Sequence, residues 1–151
     1  MASSTNPKTI HLAPTEIRIK KEAKALSTIT PGQFIERAPG GVRRHTTAGG
    51  PAQLSIAKEM AMVGGTIDED YLTNDLVEYF IAGPGETFYG LLAAGQNVSV
   101  GDLLSVIGGN LREAQPGDHI VAQALEAVNN SGGADPARIR AETFIALEAR
   151  S

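Results

Sequence analysis

The chain is 151 residues long and carries 13 Lys and Arg against 17 Asp and Glu, with 17 Gly and 8 Pro but no Cys or Trp. That length suits a single domain able to bury its own core, and the missing Cys excludes zinc ribbons, thiol catalysis and disulfide scaffolds. No apolar run approaches the roughly 18 residues needed to span a bilayer, and the opening MASSTNPKTIHLAP lacks the apolar middle of a secretion signal, so a soluble, unexported product is expected.

Residues 1–15 are polar, punctuated by Pro and without periodicity, and read as an extended lead-in; residues 1–30 together form an expected N-terminal arm, with the folded domain over 31–151. From Glu16, Ile17 and Ile19 alternate with Arg18 and Lys20, the period of a half-buried strand. Gln33–Arg37 and Val42–Thr46 alternate in the same way between Gly and Pro boundaries. Pro-Gly recurs at 31–32, 39–40, 84–85 and 116–117. A proline with preset φ followed by a glycine that tolerates positive φ makes a type II corner, and three of these corners feed strand-like runs: PGQFIER, PGETFYGLL and PGDHIVAQAL.

Between Leu76 and Val128 the runs LVEYFIA, TFYGLLA, DLLSVIG, NLREA and HIVAQALEAV are separated by turn signals every 8–12 residues, the pattern of a barrel or sandwich. The connections are too short for crossover helices, which disfavours a parallel α/β architecture. Two segments leave both options open. QLSIAKEMAMV (53–63) suits a helix by propensity but also alternates. Asp135-Pro136 resembles a helix start, yet Ile139, Ala141, Thr143 and Ile145 share one strand face, which favours a strand over 137–145. The expected fold is all-β: a single barrel or sandwich of short antiparallel strands with an extended N-terminal arm. Its expected core is Phe34, Ile35, Leu76, Val77, Phe80, Phe88, Leu91, Leu92, Leu103, Leu104, Val106, Ile107, Ile120, Val121 and Leu125.

Charge is divided unevenly. Residues 1–50 hold eight basic and three acidic groups, a balance of +5, whereas residues 51–151 hold five basic and fourteen acidic groups, a balance of −9. A cationic segment on an anionic body suits an arm that lies on a negatively charged partner.

Chemistry is hard to place. His11, His45 and His119 are far apart and form no metal-ligand spacing, and no G-x-S-x-G elbow surrounds Ser27, Ser55, Ser99 or Ser105. Asp68-Glu69-Asp70 lacks the alternating ligands and central Gly of a calcium loop. GGVRRHTTAGG lacks the order of a phosphate-binding loop, and no aromatic side chains interleave with Arg43-Arg44-His45 to stack on bases. No catalytic, cofactor or metal residues can be named; neither nucleic acid nor membrane is an expected partner.

The segment Tyr71 to Val128 and its flanks carry a resemblance. TIDEDYLTND, then GPGETFYGLLAAGQNVSVGDLLSVIGGNLREA, then GDHIVAQALEAVNNSGGADPARIRAETF resembles the head decoration, or cement, proteins of tailed bacteriophages, and the upstream GVRRHTTAGG is similar to that family's arm region. The likeness covers roughly residues 29–145 and rests on turns and strands. It implies a non-enzymatic, commonly trimeric β-barrel protein on the outside of the phage capsid, which clamps adjacent major capsid subunits after the shell expands. On that basis Arg18, Lys20, Lys21, Arg43 and Arg44 are the candidate capsid-binding residues. A tail-associated or receptor-binding β module of a virion would share the strands but should offer aromatic loops, and few exposed aromatics are expected beyond Tyr71 and Tyr89. A lipoyl-type carrier, suggested by GQNVSVGDLL, would need a Lys in a hairpin; Lys58 is the only Lys beyond position 24 and lacks that setting.

Overall fold

A computed structural model of the chain describes residues 6–14, 19–60 and 64–144. Among them every regular element is a strand, in chain order β1 (His11–Ala13), β2 (Lys20–Lys24), β3 (Ile35–Ala38), β4 (Gly41–Arg44), β5 (Ser55–Ala57), β6 (Leu76–Ile81), β7 (Thr87–Leu92), β8 (Asn97–Val98), β9 (Leu103–Ile107), β10 (Asn110–Glu113), β11 (Ala122–Ala124), β12 (Val128–Asn129) and β13 (Ala137–Thr143). The all-β expectation holds.

Five of these strands close on themselves in the order β7-β10-β9-β11-β13, with β13 returning to pair with β7. Neighbours are antiparallel except β10 and β7, which meet in parallel at Leu111 and Leu92. Strand β1 lies against β7 at His11–Phe88 and Ala13–Thr87, and so extends the barrel wall. A separate sheet runs β2-β6-β5, and β3 with β4 forms a hairpin. The segment expected to be an arm therefore contributes two strands that pair with the body.

The Pro-Gly corners have the expected backbone. Gly32, Gly40, Gly85 and Gly117 all take φ between 83° and 100°, a region open to glycine at little cost. Gly32 has a second reason to be glycine. A Cβ there would fall 2.5 Å from Arg138 Nη1 and 2.9 Å from the Tyr89 carbonyl oxygen, because Arg138 reaches across to donate to the carbonyls of Pro31 and Ile67.

The segment 53–63, which the sequence left open between helix and strand, forms strand β5 over Ser55–Ala57, which pair with Ile81, Phe80 and Tyr79 of β6; 61–63 lie outside the described residues. Ile56 and Ala57 are fully buried, each facing a different apolar cluster. Two-sided burial explains why helix propensity loses here. The strand over 137–145 also holds as far as Thr143; Ile139 and Ala141 face the core, and Ile145 lies outside the described residues.

Several expectations need correction, and of the expected core residues Leu103, Ile107 and Ile120 are only half-buried. HIVAQALEAV is not one strand: it breaks between β11 and β12, where the Leu125 amide bonds to the Arg140 carbonyl and the Glu126 carboxylate accepts from the Arg140 amide. Leu125, expected in the core, is left partly exposed by that break. Leu76, also expected inside, is exposed because it opens β6 opposite Lys24, at the end of the sheet.

The apolar interior comes in two parts. The larger fills the barrel and is plugged by Phe34, Leu54, Ile56 and Phe80 from outside the ring. The smaller, Ala25, Ile29, Ile35, Val42, Ala57, Tyr71, Val77 and Tyr79, lies between the β2-β6-β5 sheet and the β3–β4 hairpin. Phe34 and Phe88 meet edge to face at 5.6 Å between ring centres, both without exposure. Phe88→Ala is expected to destabilise the protein by about 3–5 kcal/mol, as large-to-small changes in packed cores do. Urea denaturation of both forms checks this, with the midpoint falling and the slope unchanged.

Candidate functional site

The basic residues singled out in the sequence come from two separate stretches, and the fold brings most of them together. Ala25 bridges to Val42 in parallel, and the Leu26 amide donates to the Val42 carbonyl at 2.8 Å. The two backbones approach so closely that a Cβ on Gly41 would sit 2.1 Å from the Lys24 carbonyl oxygen. Strand β2, with Lys20, Lys21 and Lys24, thus runs alongside the hairpin that carries Arg37, Arg43 and Arg44. All six side chains are on exposed residues. Arg18 lies outside the described residues.

Not all of these charges are available. Lys20 Nζ is 2.8 Å from Glu78 Oε1, and that hydrogen bond, with the charge of Glu78, raises the Lys20 ammonium above its ordinary range. Arg43 donates from Nε (3.1 Å) and Nη2 (2.9 Å) to Glu36 Oε2. The same carboxylate accepts the Thr46 amide at 2.9 Å. Burial alone would push the Glu36 carboxyl up, but the Thr46 and Arg43 bonds outweigh it and leave it below the usual carboxylate range. Lys21, Lys24, Arg37 and Arg44 have no ion-pair partner among the described residues.

Two shallow depressions frame the hairpin. One of about 510 Å³ lies between β2 and the hairpin, with Lys21, Glu22 and Arg37 at its rim and Ala23, Ala38, Val42 and Tyr79 below. The other, about 440 Å³, is bounded by Leu26, Ser27, Arg43, Arg44, His45, Thr46 and Gly108. Lys24 and Arg37 were not among the expected site residues. Arg37 has a readable signal only in hindsight, because its position opposite Val42 across the hairpin puts it beside β2.

Most of the remaining polar groups singled out in the sequence hold the fold, while Ser27 Oγ, Ser55 Oγ and His119 Nδ1 are buried without a hydrogen-bond partner among the described residues. His11 Nε2 meets Glu86 Oε1 at 2.9 Å with its ring edge-on to Phe80. His45 Nε2 donates to the Pro51 carbonyl. Ser105 Oγ donates to Asp118 Oδ2 at 2.6 Å, and Arg112 Nη2 bonds the other oxygen at 3.0 Å. Burial raises the Asp118 carboxyl, yet these bonds and the Gln115 amide together lower it. No histidine joins that cluster, so it is a clasp on the 115–118 turn rather than a nucleophile relay. Asp70 accepts from Thr30 Oγ1, and Asp68 is largely open to solvent. Among the described residues no group of three His, Cys, Asp or Glu side chains converges as metal ligands would.

One charged cluster is deeply buried. Glu78 has 2% of its surface exposed, and Lys58 Nζ approaches the same Oε1 that Lys20 holds, at 3.3 Å. Glu59 lies 3.9 Å from the same ammonium and both its oxygens accept the Ile10 amide, so the cluster ties the first described residues to β6. Desolvation would raise the Glu78 carboxyl, but Lys20 and Lys58 reverse this and hold it low.

This is the architecture of an all-β barrel protein with an exposed cationic flank. Against solved structures, the chain is similar to the base of the head fibre of bacteriophage phi29, with a TM-score of 0.56 and 12% identity over 88% of this chain and 98% of that one. That likeness is one of fold. No family model matches the sequence, and no curated protein does.

A carboxyl held low when folded supplies stability above its unfolded pKa, about 4.3 for Glu, and loses it as pH falls through the folded value. The wild type should therefore lose stability on acidification below about pH 4, with Glu78 contributing to the loss. Glu78→Gln should flatten the dependence of the urea midpoint on pH between 5 and 2 while lowering the midpoint at pH 7. An unchanged slope would show that Glu78 is not the group responsible.

Proposed function

We propose that this protein is a non-enzymatic head decoration protein, which binds the outer surface of a mature phage head and stabilises it by clamping adjacent major capsid subunits. The observation that carries this reading is the shared fold with a phage head-fibre base, across nearly the whole of both chains. The division of charge agrees with it, since a cationic flank on an acidic body suits a partner whose surface is acidic. So does the site chemistry, in which His11 with Glu86, Ser105 with Asp118 and Lys58 with Glu78 hold turns and strands together.

The mechanism follows from mass action. A ligand that binds the expanded lattice, and not the loosened or ruptured shell, stabilises it by RT ln(1+[L]/Kd) at each site. Assembly as a homotrimer at a three-fold position would let three modest contacts hold together where one would not. Residues 1–30 serve as the docking arm, partly strapped to the body through β1 and β2, and the capsid contacts centre on Arg18, Lys20, Lys21, Arg43 and Arg44. Arg44 needs no internal partner to be displaced, whereas Arg43 must exchange Glu36 for a capsid carboxylate. No cofactor takes part.

Arg43→Ala with Arg44→Ala should reduce occupancy on purified expanded capsids by roughly tenfold or more, as loss of interface arginines does. Heat release of packaged DNA from virions carrying the variant should begin at lower temperature. Quantitative gel densitometry of capsid-bound protein checks the first, and unchanged occupancy would remove these residues from the interface.

A further inference from the structure

Asp135-Pro136 reads in sequence as a helix start, where an aspartate caps the first turn, yet no helix follows and the pair leads into strand β13. Asp135 is thereby left without that task. Its carboxylate has no hydrogen-bond or ion-pair partner among the described residues, and residues 131–136 are all exposed. Its backbone carbonyl, by contrast, is held: Asn130 Nδ2 donates to that oxygen at 2.9 Å.

The donor itself is fixed in place. The Asn130 amide donates to the Gln96 carbonyl at 2.7 Å, and the Asn130 carbonyl accepts from the amides of Gly95 and Gly133. Its side-chain nitrogen also lies 3.4 and 3.3 Å from the carbonyl oxygens of Leu92 and Ala93. Gly133 makes room for this, since a Cβ there would fall 2.0 Å from Asn130 Oδ1. The loop therefore aims a rigid N–H at the carbonyl of the only Asp-Pro bond in the sequence. The nitrogen of that bond belongs to a tertiary amide, which carries no hydrogen and leaves more readily once protonated than an ordinary peptide nitrogen.

We propose that the chain cuts itself between Asp135 and Pro136. A carboxyl oxygen of Asp135 bonds to the residue's own carbonyl carbon, while Asn130 Nδ2 stabilises the negative charge that develops on the carbonyl oxygen. The proton of the carboxylic acid passes to the Pro136 nitrogen, the carbon–nitrogen bond breaks, and a cyclic anhydride remains at Asp135. Water, which reaches this exposed loop, opens the anhydride and leaves one chain ending in Asp135 and another beginning with Pro136. Water is the only reagent consumed. The cut falls just before β13, whose pairing with β7 and β11 keeps the released strand in place, so the barrel stays closed by hydrogen bonds without a continuous chain. A single cut per chain is not turnover and sits beside the non-enzymatic role proposed for the shell. Its test needs no capsid, so the two readings can fail independently.

The experiment incubates the full chain at pH 5, above the range in which acid loosens the fold, with one portion folded and another unfolded in guanidinium chloride. Both are then denatured and read by intact mass spectrometry over time. The folded chain should give residues 1–135 and 136–151, whose masses sum to that of the uncut chain plus one water. It should cut about tenfold faster or more than the unfolded portion, because only folding brings Asn130 to the carbonyl. Asp135→Ala should abolish the cut. Asn130→Ala should slow the folded chain to the unfolded rate, with circular dichroism and the melting midpoint as controls of folding. Should that variant not fold, the two portions of wild type decide alone. A folded chain that stays intact, equal rates in the two portions, or a folded Asn130→Ala that cuts as fast as the wild type would each overturn the proposal.

Discussion

Strand β7 has hydrogen-bonded neighbours on both edges, and the rest of the molecule is arranged by that fact. On one edge it pairs with β13 from Ala137 to Glu142; the other is divided between β1 at its start and β10 at its end. An unpaired strand in a barrel of this size would expose a row of amides and carbonyls. Here the pairing of β7 with β13 turns a five-stranded sheet into a closed ring. Gly90 makes this possible at the centre of β7, where a Cβ would meet the Phe88 ring at 2.8 Å and Leu111 at 3.1 Å. The strand can therefore lie close over the core it encloses.

The second layer follows from the first. Once Phe34 and Ile56 plug the barrel, their neighbours Ile35 and Ala57 point the other way and need cover of their own. The β3–β4 hairpin and strand β2 supply it, and the basic residues ride outward on those two elements. Lys20 and Arg43 are held by Glu78 and Glu36, so the flank has fixed charges at its edges and unpaired ones between. The electrostatic character of this surface is thus a by-product of how the small core is closed.

Local features were legible in the amino-acid order. The Pro-Gly corners announced both their positions and their backbone geometry, alternation identified β3, β4 and β13, and apolar runs between turn signals identified β7, β9 and β10, because turns and strand faces are decided by residues a few positions apart. What was hidden depends on distant partners. Ser55–Ala57 reads equally as helix until β6 is laid beside it, and Lys58, Glu59 and Glu78 are unremarkable in sequence until the fold buries them together. Leu76 and Leu125 have the composition of core residues and differ only in falling at the ends of their strands. The candidate site was visible as a charge imbalance, but which cations are free depended on Glu36 and Glu78, whose partners lie 7 and 58 positions away.

Strand β2 is the outermost strand of its sheet, and four of its five side chains are Lys20, Lys21, Glu22 and Lys24. A bare rim of backbone would invite neighbouring chains to add strand upon strand without end. With three lysines against one glutamate, this rim repels such stacking even when many copies crowd together. Orderly assembly and resistance to fibril growth would then be two outcomes of one short, lysine-rich border.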